Sequence, residues 1–436
     1  MNRLNTLRGK LYAIIFCSLF ARVIGLFLLP STPSFLGPDE GTYGAVADWT
    51  EKGLSARDFP LYGEGLYLSG RALFWPAALF NQLGLTPLNS VRLTAAIYGL
   101  LTLVLVIYIF LKTVDKNSTV ADFVERNSNL VVAFFVVFAF LPSHFVWSLL
   151  GLRESAVEFW TLSAFAALYW IFHLEKKLSL RAVLFLIIAI VFTFSSRPQV
   201  GWVLSISFLI FLLLTIRKKT ALLLIPIVLA STVLGFSGTV APVAPGTVAP
   251  GTVAPGLIVS TTSKIFETLK TAAEITAYKR QVNQLDAASV IITQSCPREG
   301  LALANRPPTS FDTYFCIAWR APYMAATFLF RPFIGLDVTS TSSLFAAIEN
   351  IAWFGASIFI IVMMVRKRRL AFFGPLVPSI IFFMLYIVGA GSYEGNMGTA
   401  FRHKSLILWV FLLLVASVIA ARKRPITGNE IAEKAV

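Results

Sequence analysis

Residues 129–173 read NLVVAFFVVFAFLPSHFVWSLLGLRESAVEFWTLSAFAALYWIFH. Two apolar runs, 129–150 and 155–173, are parted only by Gly151-Leu152-Arg153-Glu154. An α-helix needs about 20 mostly apolar residues to cross the hydrocarbon layer of a membrane. Two runs of that length joined so tightly predict a helical hairpin. The next stretch repeats the arrangement, with runs 179–195 and 199–216 divided by Ser196-Arg197-Pro198. Proline cannot continue a hydrogen-bonded helix and restricts its predecessor, so it suits that turn.

Outward from this centre, further apolar runs fall at 11–30, 90–112, 220–237, 345–365, 370–391 and 405–421. The expected fold is all-α: a polytopic membrane helical bundle of about ten transmembrane helices. The composition agrees. The 436 residues are 57% hydrophobic and only 14% charged, against about 45–50% and 25% in soluble domains. One further apolar stretch, 318–334, is read as a re-entrant or interfacial helix, or as a span outside this count. The first run follows Arg3, Arg8 and Lys10 and has no small-residue cleavage site, which predicts a retained helix rather than a removed signal peptide.

Charge sets the expected orientation. The net charge is +15, which in a soluble protein suggests nucleic acid as partner. Here the basic residues stand in short clusters between apolar runs: Lys112, Lys116 and Arg126; Lys176, Lys177 and Arg181; Arg217, Lys218 and Lys219; Arg366 to Arg369; Arg422 to Arg424. If the runs alternate, all these clusters and the amino terminus lie on one side, which the positive-inside rule makes cytoplasmic. The expectation is a multi-pass cell-membrane protein with the bilayer, not nucleic acid, as partner and both termini cytoplasmic. Its division is 1–237, a transmembrane core with a first outer loop at 31–89; 238–344, a long extracytoplasmic loop; and 345–436, the last helices and tail.

The long loop opens with Gly-Thr-Val-Ala-Pro units through Pro255, dense enough in proline and glycine to predict a flexible or polyproline-like linker. Residues 260–285 read as a helix on the membrane surface and 286–320 as a small irregular cap. Cys296 and Cys316 lie in this loop, where an oxidising compartment permits a disulfide; two free thiols are the equal alternative. Cys17 is expected as a small core residue.

Ionisable groups near the hydrocarbon are costly and are functional candidates by default. The first outer loop begins Gly37-Pro38-Asp39-Glu40-Gly41-Thr42-Tyr43. The acidic pair either caps a helix amino end or presents a carboxylate that takes a proton from a hydroxyl. Asp39 is preferred over Glu40 because its side chain is shorter. In the tight turn, Arg153-Glu154 is followed by Glu158 on the same helix face. Before the last run, Glu394-Gly395-Asn396 and Arg402-His403-Lys404 offer a phosphate site, Arg as a planar fork and Lys as a point charge. The alternative is snorkelling to lipid phosphate. Arg71, Arg92, Arg197 and Arg331 are further outward arginines. Arg22, inside the first run, needs a partner or a wet cavity. His173 is expected to be structural. The sequence carries no metal signature, P-loop or dinucleotide fingerprint, so the cofactor is left open.

The chain resembles the polytopic GT-C glycosyltransferases, the protein mannosyltransferase and aminoarabinose transferase relatives of bacterial envelopes. The likeness rests on Pro38-Asp39-Glu40-Gly41-Thr42-Tyr43, on Val91-Arg92-Leu93, on Arg153-Glu154 and on Arg331-Pro332-Phe333 preceding Glu349-Asn350 and Trp353. It departs at Gly65-Leu66-Tyr67 and Arg71, where relatives often carry a His-Pro-Pro-type segment, and in the Ala-Pro repeat. The resemblance implies a glycosyltransferase that moves a sugar from a polyprenyl phosphate to a glycan, lipid or protein acceptor on the extracytoplasmic face. It implies Asp39 as the base or acceptor-orienting carboxylate and Glu154 as a second acidic site residue; Glu40, beside Asp39, is a further catalytic candidate. Tyr43, Arg71, Arg92, Arg153, Arg197, Asn396, Arg402, His403 and Lys404 are the expected substrate-binding set. The competing expectations are an envelope polysaccharide polymerase or ligase, which transfers a whole glycan, and a lipid or solute transporter.

Overall fold

The computed structural model describes residues 3–34, 39–54, 63–116, 121, 124–174, 178–215, 217–237, 311–335, 337–338, 341–367, 377–393 and 397–422. Among these residues 86% are helical and none lies in a strand. Four helices are long and apolar enough to cross a membrane, covering Asn5–Leu28, Pro87–Asp115, Glu154–Leu174 and Lys219–Phe236. The chain is a helical membrane protein. The Ala-Pro repeat, the 260–285 segment, Cys296, Glu394 and Asn396 fall outside the described residues.

The helices are α1 (Arg3–Leu28), α2 (Asp39–Glu51), α3 (Gly63–Leu68), α4 (Arg71–Gln82), α5 (Pro87–Lys116), α6 (Ser128–Phe140), α7 (Pro142–Phe145), α8 (Glu154–Tyr169), α9 (Leu180–Ser196), α10 (Pro198–Leu214), α11 (Lys219–Ser237), α12 (Phe311–Phe330), α13 (Thr341–Lys367), α14 (Val377–Tyr393) and α15 (Met397–Arg422). A π-helical turn, Trp170–Leu174, extends α8.

The run expected at 129–150 is not one helix. Leu141 turns extended, with φ −61° and ψ 131°, and Pro142 opens the short α7. The ring of Pro142 removes a backbone donor and forces Leu141 out of helical geometry. The second half of the run therefore folds back as turns through Gly151, whose φ is +37°. A side chain on Gly151 would meet Val91 Cγ2 at 2.8 Å, so glycine serves both the backbone angle and the contact. The turn at Arg197 is as expected: α9 ends at Ser196, Arg197 is extended and Pro198 starts α10.

The stretch 318–334 lies largely in α12, a 20-residue helix. It begins inside the segment expected to be an irregular cap. Met324, Ala325, Phe328 and Leu329 are buried. A Cβ on Gly391 of α14 would stand 2.7 Å from the Met324 carbonyl oxygen, so α12 and α14 pack backbone to backbone. Cys17 is exposed, not a core residue, on a stretch of α1 where Phe16 and Phe20 are exposed too.

Contacts sort the helix ends into two sets. At one end Arg8 of α1 pairs with Asp115 of α5 at 2.5 Å, the Thr113 hydroxyl meets Tyr169 of α8 at 3.1 Å, and Lys218 sits over the ring of Phe172. Aromatic side chains fill the middle, where Phe165 packs on Phe208, Phe382 and Trp409. At the other end α2 and α4 cover the start of α5. Tyr43 packs edge-on against Phe74, and the Tyr98 hydroxyl donates to the Ala72 carbonyl at 2.8 Å.

Candidate active site at the covered end

The covered end gathers charged groups from five separated segments. Asp39 and Glu40 both lie in the first turn of α2, where free N–H groups and the helix dipole favour acidic side chains. Their surroundings differ completely. Glu40 is fully buried and takes a two-pronged contact from Arg92, from Nε at 2.9 Å and Nη2 at 2.7 Å. The backbone N–H of Ser34 also donates to Glu40. Arg92 spends its remaining donors on the carbonyls of Pro30 at 2.5 Å and Thr32 at 3.0 Å. This pair clamps the chain leaving α1 onto α5 and orients α2.

The Asp39 side chain is 46% exposed, and Arg402 of α15 donates to it at 2.7 Å. Tyr43, one turn along α2, is buried within the electrostatic reach of Arg153, Glu154, Asp39 and Arg402; burial pushes its hydroxyl pKa above the usual value. Glu154 opens α8 and is buried, with Arg197 Nη1 at 3.7 Å and His403 Nε2 at 3.8 Å from its Oε1. Arg402 and Arg153 add their charges to the same carboxylate. The Arg153 Nη1 group donates to Ser69 Oγ at 3.0 Å, tying the acidic turn to the segment between α3 and α4.

The cluster has spare hydrogen-bonding capacity. Among the described residues, Glu154 Oε2, Arg153 Nε and Arg197 Nη1 are buried without a hydrogen-bond partner. Buried polar groups are nearly always satisfied, so such a set marks a place where a polar ligand or water completes the arrangement. Chemically, it offers an accessible carboxylate, Asp39, next to arginines able to hold a phosphate oxyanion.

Other expected residues lie apart. Lys404 is fully buried and donates to the Arg331 carbonyl and to Asn350 Oδ1, both at 2.7 Å. It ties α15 to α13 and to the segment after α12. Arg331 is engaged by Asp337, with its Nε at 2.9 Å from Oδ2. Glu349 accepts from the Ser143 N–H and Trp353 Nε1, each at 3.1 Å. Arg71 stands over the ring of Trp75 at 5.8 Å. His173 stacks on Tyr169 far from the cluster.

Sequence reading passed over His144, the second residue after the breaking Pro142. It is buried, stacks on Phe138 and meets Glu158 Oε2 at 2.9 Å through Nδ1. The signal was present, since an ionisable residue within an apolar run is a candidate by default. Arg22 is partly engaged: Ser148 accepts from its Nε and Ser18 from its Nη1, the Phe145 ring lies 5.0 Å from its guanidinium, and its Nη2 is buried without a hydrogen bond among the described residues. Among the described residues no three of His, Cys, Asp or Glu are grouped as a metal site needs. Comparison with protein-family models, with curated proteins and with solved structures finds no match to this chain.

Proposed function

We propose that the chain is a GT-C type membrane glycosyltransferase that moves a sugar from a polyprenyl-phosphate donor to a glycan, lipid or protein acceptor on the extracytoplasmic face. In this reading the ten apolar runs cross the membrane in alternation and both termini are cytoplasmic. The gathering of Arg8, Lys112 and Lys218 at the end away from the cluster supports that orientation.

The observation that carries the reading is the meeting of Asp39 with Arg402, 363 residues apart, beside the buried Glu154. Asp39 takes the proton of the acceptor hydroxyl as its oxygen attacks the anomeric carbon. The bond from that carbon to the phosphate oxygen breaks, and Arg197 and Arg153 stabilise the departing phosphate. Arg402 holds Asp39 in place, and Glu154 gathers the arginines around itself by their shared attraction to it. Glu40 and Arg92 are positioning residues, because all their polar atoms are engaged away from the cluster. No nucleotide is needed, since the lipid carrier supplies the activated sugar.

The test compares wild type and Asp39→Asn in proteoliposomes with radiolabelled polyprenyl-phosphate sugars and envelope acceptors. Wild type is expected to consume a donor, and folded Asp39→Asn to lose about 10²–10⁴-fold in turnover. Failure of wild type to consume any donor, with lipid or solute crossing instead, replaces the transferase by a transporter. Products extended by a whole glycan replace it by a polymerase or ligase.

A further inference from the structure

Below the outer cluster lies a second set of buried ionisable groups that the transfer reaction leaves unused. Glu154, Glu158, Thr161 and Phe165 occupy one face of α8, successive positions three or four residues apart. Glu158 and His144 are 2% and 1% exposed. The His144 Nδ1 to Glu158 Oε2 contact is 2.9 Å. Among the described residues each group keeps one buried atom without a partner: Glu158 Oε1 and His144 Nε2.

Charge decides how this pair is protonated. Arg22 of α1 acts electrostatically on Glu158. A buried charge is tolerated only when balanced, so an ionised Glu158 facing Arg22 makes a neutral set with a neutral imidazole. The Nδ1 contact to an ionised carboxylate then requires the hydrogen on Nδ1. His144 Nε2 is left as a bare lone pair, the form in which an imidazole accepts a proton. The other charged groups around the pair are Glu349 of α13, which reaches the neighbouring Ser143 N–H, and His403 and Lys404 of α15, which packs on α7. Lys404 is already held by Arg331 and Asn350. Inward, the face ends at Thr161, whose hydroxyl is unpartnered, and then at Phe165 packed on Phe208, Phe382 and Trp409. The polar column is closed by this aromatic plug.

We propose that His144 and Glu158 form a carboxylate–imidazole dyad that binds one proton at His144 Nε2 and, through Glu154 one helical turn away, tunes how firmly the outer cluster holds the donor's phosphate. The second half rests on the transferase reading; the proton site does not. A proton taken from water leaves a positive imidazolium beneath the cluster and tightens its hold on an anion. Because the column is plugged, the proton exchanges with the outer cluster's side and does not cross the bundle.

The chain has three histidines, so the full-length variant His173→Gln/His403→Gln carries His144 alone and keeps both dyad residues. In lipid nanodiscs its ¹⁵N imidazole spectrum is expected to show the Nδ1–H tautomer at high pH. On acidification it is expected to gain a second proton, at Nε2. Adding Glu158→Gln should scramble the tautomer. An Nε2–H tautomer, no proton gain, or a spectrum indifferent to Glu158→Gln each overturns the dyad. In the activity arm, donor KM in the wild type should fall as the pH is lowered, by up to about tenfold, the effect of a unit charge at roughly 10 Å and an effective dielectric near 20. His144→Gln should flatten that dependence while His173→Gln keeps it. A dependence equal in His144→Gln and wild type overturns the coupling. Should no donor be consumed at all, the coupling falls with the transferase reading, and the spectrum still decides the proton site.

Discussion

Asp39 and Glu40 are neighbours in sequence and opposites in structure. Glu40 is sealed at 0% exposure and matched by Arg92 atom for atom, while Asp39 is nearly half exposed and held by one arm of Arg402. The closed pair leaves no valence for a ligand. The open cluster around Asp39 and Glu154 has buried polar atoms to spare. Both are made of carboxylates and arginines, so residue type does not separate scaffold from site. Saturation does. A fully engaged buried pair fixes the chain, and an incompletely engaged one is poised to receive something.

Stability separates the two most sharply. Removing one partner of a buried ion pair strands the other charge, at about 3–5 kcal/mol. Glu40→Ala or Arg92→Leu is therefore expected to lower the unfolding midpoint more than any change in the open cluster, measured by thermal denaturation in detergent. Replacing both with apolar residues of similar volume should recover most of the loss. If Glu40→Ala melts like wild type, the clamp assignment is broken.

Asp39→Asn sits at the opposite pole. A half-exposed ion pair contributes about 0–1 kcal/mol, so this variant should melt within a few degrees of wild type while losing turnover. Equal losses of stability in Asp39→Asn and Glu40→Ala would erase the distinction between the two neighbours. An intermediate case is Arg197→Gln. It removes a donor aimed at Glu154 with spare capacity, so it should weaken donor binding by about ten- to a hundredfold, the range of one charged hydrogen bond. Because Arg197 also stabilises the departing phosphate, kcat should fall alongside the rise in KM.

Much of this arrangement was readable in the sequence. The apolar runs located the helices, Pro198 and Gly151 located the turns, and the acidic pair did open a helix. The acidic and basic motifs around Asp39, Glu154 and Arg402 do meet. What the sequence withheld was partner choice. Spacing cannot say that Glu40 rather than Asp39 takes Arg92, because that depends on how the 29–34 segment returns over α5. Nor can it say that Lys404, adjacent to His403, points to Asn350 instead of the cluster, since consecutive helix residues face different directions. His144 was hidden for another reason: an unbroken apolar run suggested one helix, and Pro142 was given too little weight as its breaker.

Asp337 and Arg331 give the finest grading of the comparison. They form a closed pair like Glu40 and Arg92, but in the short loop after α12, at the margin of the bundle. The hydrogen bond from Arg331 holds the Asp337 carboxyl below its usual value of 3.8, and the Phe333 N–H helps. A carboxylate whose folded-state pKa is depressed stabilises the fold at pH above its unfolded value and loses that contribution as pH falls through the folded value. Asp337→Asn should therefore melt lower than wild type at neutral pH, by less than Glu40→Ala. The gap should narrow on acidification below about pH 4, where the native carboxylate protonates. A gap that stays constant down to that range would mean Asp337 acts by shape rather than by charge. Saturation would then describe the Glu40 clamp alone, without extending to closed pairs at the edge of the bundle.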